Sequence, residues 1–91
     1  MYSIEYTNKM KRDVKPIARR GKDLAKLTAA LHLLASGNSI PAQYNDHPLK
    51  GNYAGCRECH IAPDWLLIYR INEGTLILTL TRTGTHSDLL E

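Results

Sequence analysis

The 91-residue sequence contains no phenylalanine, one tryptophan, two cysteines and four prolines. No apolar run approaches the ~18–20 residues of a membrane-spanning helix, so no membrane partner is expected. Met1 to Lys11 is polar and lacks the apolar stretch of a signal peptide, which points to the cytoplasm and to reduced cysteines. Apolar residues make up 43% and charged residues 23%, ordinary values that exclude disordered and low-complexity classes. The length fits one domain, residues 1–91, in which ~60–65% of the unfolded chain's surface is buried.

The net charge of +3 is unevenly spread. Residues 1–36 hold eight basic side chains (Lys9, Lys11, Arg12, Lys15, Arg19, Arg20, Lys22 and Lys26) against three acids. Residues 37–91 hold four against six. A basic first third attracts polyanions, nucleic acid above all, or forms a solvated helix surface.

Tyr2 to Tyr6 alternates apolar and polar residues and reads as a strand. Met10, Val14 and Ile17 then recur at helical spacing, with Thr7 or Asn8 as cap. Pro16 predicts a kink near Lys15 or a helix in two pieces. Asp23 opens a second helix, with Leu24, Leu27, Leu31 and Leu34 on one face and Gly37 at its end. Asn38 to Asn52 reads as an extended loop. Three strands follow as a meander, Cys56–Ile61, Trp65–Ile71 and Thr75–Arg82, the last carrying Leu76, Leu78 and Leu80 on one side. The expected class is α+β: an N-terminal strand and two helices on one face of a mostly antiparallel sheet.

His47 falls in the loop, His60 near the end of a strand, and His86 after the last strand. With Asp64, Arg57 and Arg82 they form the set that cleaves an RNA phosphodiester without metal. One group takes the 2′-OH proton, another protonates the 5′-oxygen, and a cation steadies the phosphorane. Histidine suits both transfers because its ordinary pKa is near working pH. The alternative is that these are scattered surface histidines. His32, inside the leucine helix, is assigned to packing or solvent.

Cys56-Arg57-Glu58-Cys59-His60 matches the C-x-x-C-H pattern of haem attachment. Against haem stand the missing export signal and the opposite faces that residues three apart take on a strand. A zinc site with His47 lacks a second close-spaced ligand pair, and a redox dithiol belongs at a helix start. Two packed or half-exposed reduced thiols is the remaining reading, and no cofactor or metal is expected. Trp65 and Tyr69 share a strand face, either packing or stacking on bases.

The strings Asp46-His47-Pro48-Leu49, His60 to Tyr69, and Arg82-Thr83-Gly84-Thr85-His86, read in that order, resemble the YafQ branch of the RelE/ParE toxin superfamily. The resemblance covers nearly the whole chain and includes Lys11 to Lys15. It implies the RelE-like fold and a bacterial toxin that cuts mRNA on the ribosome. It also implies neutralisation by a cognate antitoxin, and operator DNA binding only through that complex. By this analogy His47, His60, Asp64 and His86 are catalytic, with His86 as acid to the leaving 5′-oxygen. The base is left open among His47, His60 and Asp64. Trp65 contributes to the mRNA site, Arg82 and Arg57 hold the phosphate, and the eight helix cations grip ribosomal RNA. ParE-like relatives of the same fold attack DNA gyrase, so a non-catalytic binding module is the competing reading. The sequence departs from the family pattern at Leu90, where an aromatic is usual, at the Cys56/Cys59 pair, and at Pro16.

Overall fold

The structure, a computed structural model, describes residues 1–90, the side chain of Leu90 excepted. Five strands form one sheet: β1 (Ser3–Tyr6), β2 (His47–Pro48), β3 (Arg57–Ala62), β4 (Trp65–Asn72) and β5 (Ile77–Gly84). Their order is β1-β5-β4-β3-β2, with β1 parallel to β5 and the other pairs antiparallel. Helices α1 (Asn8–Arg19) and α2 (Leu24–Ser36) follow β1, and α3 (His86–Leu90) closes the described chain. This is the expected α+β architecture.

Helix α1 starts where Thr7 accepts a hydrogen bond from the Met10 N–H. It runs through Pro16 as one helix, so of the two alternatives expected, a kink or two pieces, the second does not hold. Pro16 lies in the last turn, so the bond it removes frees only the carbonyl of Arg12, an exposed residue open to water. Met10 and Ile17 are buried on either side and tie both halves to the core. Bonds from Lys22 N–H to the Ile17 carbonyl and from Gly21 N–H to Ala18 end the helix in a Schellman turn, with Gly21 at φ 77°. Helix α2 is capped by Asp23 and ends at Gly37, φ 78°. Its inner face is Leu27, Ala30, Leu31 and Leu34, whereas Leu24, expected on that face, is exposed.

The stretch 38–52 is more ordered than the loop expected. Two 3₁₀ turns, Ala42–Tyr44 and Gly51–Tyr53, flank β2 at the sheet edge. The last strand begins two residues later than expected. Leu76 sits in the turn at φ 56°, half exposed, rather than on the strand's apolar side.

Both faces of β4 are buried. Trp65, Leu67 and Tyr69 face the helices and join Met10, Ile17, Leu27, Leu31 and Leu34. Leu66 and Ile68 face the other way, under Cys56 and Leu89, with Leu49 and Tyr53 packed beside them. The β4–β5 register shifts because Ile68 pairs with Arg82 while Tyr69 pairs with Leu80, leaving Thr81 as an extra residue. The Thr81 carbonyl accepts from the Thr7 hydroxyl at 2.7 Å. The bulge resets the alternation so that Thr83, rather than Arg82, enters the helix-side interior.

Cys56 and Cys59 are free and buried, the packed-thiol arrangement weighed from the sequence. Burial, aided by Asp46 and Glu58, pushes the Cys59 thiol up to about 12, so it stays protonated and unreactive near neutrality. We predict that neither thiol of the native protein reacts promptly with an aromatic disulfide reagent, and that both react after denaturation. A rapidly titrating thiol in the folded protein contradicts this packing.

Candidate active site

Strand pairing builds the site. Glu58, Cys59 and His60 on β3 stand opposite Ile68, Leu67 and Leu66 on β4, without a shift between them. Side chains alternate along a strand, so Glu58 and His60 share the face of Leu66 and Ile68, away from the helices. His47, on the edge strand β2, pairs with Glu58 and joins that face. Helix α3 lies over the same side through Leu89 and brings His86. The result is a row of three imidazoles: His47 and His60 are 6.3 Å apart between ring centroids, and His60 and His86 are 6.0 Å apart.

Each ring has a carboxylate nearby or an unmet polar atom. Asp64, in the β3–β4 turn, places Oδ1 3.6 Å from His86 Nδ1. His47 Nδ1 is 2.9 Å from the Asn45 carbonyl, and its Nε2 is 3.5 Å from Glu58 Oε1. His60 Nδ1 is buried without a partner among the described residues. A cleft of about 560 Å³ opens beside His60, between β3 and α2, with Lys26 and Tyr44 on its walls. The four residues assigned to acid–base chemistry are thus gathered on one side of the sheet. Glu58, His60 and His86 also present ligand atoms within 4.8 Å of one another, a set able to hold one metal ion.

The three substrate-binding candidates part company. Arg57 is an odd number of residues from His60 on the same strand, hence on the opposite face, where its Nε donates to Asp46 at 2.6 Å. It does not reach the histidine row. Trp65 is 1% exposed and donates from Nε1 to Thr83 Oγ1 at 2.9 Å, so its ring packs in the core and offers no stacking surface. Arg82 stands opposite Ile68, on the histidine side, and its Nε and Nη2 donate to Asp13 at 2.6 and 3.0 Å. Asp13 keeps that guanidinium charged, opposed by burial and aided by Tyr53. The eight cations are all exposed, six on α1 and α2 and two, Arg20 and Lys22, in the turn between them, and only Arg20 of them is ion-paired among the described residues, to Asp88 at 3.2 Å.

Four of the five residues of Arg82-Thr83-Gly84-Thr85-His86 have a structural task. Arg82 and the Thr83 N–H both bind Asp13, which closes the free edge of β5 beyond β1. The Thr83 hydroxyl donates to the Leu66 carbonyl at 2.7 Å while accepting from Trp65. A Cβ on Gly84 would lie 3.0 Å from the Asp88 side chain, so glycine leaves room for that carboxylate. Thr85 and Asp88 cap α3 reciprocally: Asp88 N–H donates to Thr85 Oγ1, and Thr85 N–H donates to Asp88 Oδ2. The sequence reading missed Asp13, Asp46 and Glu58. Two-residue spacing from His60 marks Glu58, whereas nothing local marks Asp13.

The fold and site together define a small RelE-like α+β protein with a histidine row on the sheet face opposite its two main helices. Residues 2–91 match the family described as bacterial toxin of type II toxin-antitoxin system, YafQ. Over 87 residues the chain is 42% identical to the mRNA interferase toxin YafQ of Escherichia coli (strain K12), covering 94% of this chain and 92% of that protein. It superposes on a chain of the Escherichia coli DinJ-YafQ complex with TM-score 0.91 and 39% identity, over 100% of both chains. It also superposes on a metal-bound toxin from Helicobacter pylori with TM-score 0.92 and 40% identity, over 99% of this chain and 100% of that one. The chain belongs to the YafQ family of type II toxin–antitoxin toxins.

The Asp88 carboxyl is held below its ordinary 3.8 by the Thr85 N–H first and Arg20 second. A depressed folded-state value means that its contribution is present above the ordinary carboxylate range and is lost as pH falls through the lowered value. We predict that the cap of α3, and with it the place of His86, persists on acidification until Asp88 protonates below 3.8. Carboxyl-resolved NMR titration checks this, and a midpoint at or above the ordinary value contradicts it.

Proposed function

We propose that this chain is an endoribonuclease of the mRNA interferase kind, acting on message bound to the ribosome by metal-independent acid–base catalysis. One observation carries the reading: three imidazoles within about 6 Å of their neighbours on one sheet face, the last with a carboxylate beside Nδ1. The name of the Escherichia coli relative supports the substrate class. A gyrase-binding module of the same fold would not require this row.

In this reading the scissile phosphate lies along the row. His47 or His60 takes the 2′-OH proton, and the freed oxygen attacks phosphorus. His86 donates a proton to the departing 5′-oxygen, leaving a 2′,3′-cyclic phosphate and a 5′-OH end. Asp64 beside Nδ1 orients the ring and leaves Nε2–H to act as acid. Arg82 supplies positive charge on that face, and Trp65 serves by holding Thr83 rather than by stacking. Lys9, Lys11, Arg12, Lys15, Arg19, Lys22 and Lys26 offer an exposed cationic surface to ribosomal RNA. The complex containing DinJ supports an antitoxin partner, through which operator DNA would be reached. The single domain acts in the cytoplasm.

Glu58, His60 and His86 would hold a metal ion only by surrendering groups that the acid–base reading uses. We predict that His86→Ala lowers message cleavage about 10²–10⁴-fold, the usual worth of a placed acid. Parent activity should survive 1,10-phenanthroline, which spares ribosomal magnesium. Primer extension on translated message checks both. Equal cutting by parent and variant overturns the assignment of His86. Loss in chelator restored by zinc overturns metal independence.

A further inference from the structure

Strand β2 stops before it reaches His60. The Leu49 N–H donates to the Cys56 carbonyl at 2.9 Å, and His47 pairs with Glu58. Backbone groups alternate sides along a strand, so Cys56, Glu58 and His60 all point N–H and C=O toward the β2 edge. The next pair in this ladder would be Asn45 with His60. It is not made among the described residues. Asn45 turns into the left-handed region at φ 48°, and its carbonyl lies 2.9 Å from His47 Nδ1. The His60 N–H and C=O therefore open onto the cleft of about 560 Å³ beside them. Its other walls include the half-buried ring of Tyr44, the amides of Gln43 and Asn45, and Lys26, alone of the eight cations. An aromatic face, a backbone donor beside a backbone acceptor, amides and a cation suit a nucleobase better than a hydrocarbon. The volume is that of a small-ligand site. The β3 register shifts just past His60, so the free edge is too short to take up an added strand from a protein partner.

We propose that this cleft is the subsite for one base of the message, that of the nucleotide whose 2′-OH attacks. On the nuclease reading, on which this rests, the position of the cleft sets the direction of the message. It adjoins His60 and Asn45, whose carbonyl holds His47, at the end of the row that takes the 2′-OH proton. Asp64 and His86 stand at the other end, with the departing 5′-oxygen. The base immediately 5′ of the cut enters with its edge on the His60 main chain and its face on Tyr44. Sequence preference at that base comes from the turn Gln43 to Asn45, and preference at the base 3′ of the cut does not.

The test uses the purified full chain, translating ribosomes, and messages varied one base at a time around a mapped cut. Tyr44→Ala should raise KM about 10–100-fold, the worth of one stacked base, with kcat within about threefold. It should flatten the preference at the base 5′ of the cut and leave that at the 3′ base alone. Tyr44→Phe keeps the ring and should recover most of the lost affinity. Tyr44 also packs against the core, so Gln43→Glu serves as a second variant at an exposed position. Its carboxylate near the message backbone should raise KM about 2–5-fold at low salt, the scale of an exposed charge pair. A cutting parent whose KM and cut-site preference are unchanged in both variants overturns the subsite and leaves the nuclease reading standing. A change of preference confined to the 3′ base also overturns it. So does weakened antitoxin binding with unaltered cutting, which makes the cleft a protein interface. Where Tyr44→Ala fails to fold, an unaltered KM in Gln43→Glu overturns it alone. A parent that cuts no message removes the nuclease reading and this subsite with it.

Discussion

The site depends on the strict alternation of side chains along β3. With Glu58, Cys59 and His60 paired one for one against Ile68, Leu67 and Leu66, the strand has no freedom to turn a single residue over. Cys59 must enter the helix-side core, and Glu58 and His60 must face away from it. Moving the register by one residue would bury a histidine among leucines and expose a cysteine. The apolar demand of the core therefore fixes polar groups on the opposite face. It also explains why Arg57, attractive by charge, binds Asp46 on the helix side instead.

A second constraint brings the distant third histidine to that face. The Thr81 bulge resets β5 so that Thr83 inserts between Trp65 and the Leu66 carbonyl. An unmade bond at a buried donor or acceptor of this kind costs about 1–3 kcal/mol, which makes the latch specific. From it the chain passes Gly84, where only a hydrogen leaves room for Asp88, into the cap of α3 and so to His86. Asp13 fastens the outer edge of the same strand to α1. The motif is a structural hinge pin whose last residue stands in the histidine row.

Much of this was legible in the sequence, for identifiable reasons. Helix α2 follows from its leucine period, Asp23 and Gly37, and the meander follows from alternation and turn residues. The extra residue at Thr81 was hidden, since its stabilisation comes from Thr7, 74 positions away. Leu76 was misplaced because an apolar residue in a turn mimics a strand position. Pro16 looked disruptive because a local rule was applied without knowing that the freed carbonyl belongs to an exposed residue, Arg12. At the site, His60 and Glu58 are a same-face pair by spacing alone. Trp65 could not be judged, because packing and stacking demand the same aromatic. The Leu90 position, where the family pattern has an aromatic, lies outside the described side chains.

The central claim is that the imidazole row moves protons to and from the oxygens of one RNA phosphodiester. A message carrying a single 2′-deoxynucleotide at the mapped cut site tests it most directly. The account predicts that this message resists cleavage at that position, while the all-ribose message yields a 2′,3′-cyclic phosphate and a 5′-OH end. Equal cutting of both messages, or a 5′-phosphate product, would contradict it.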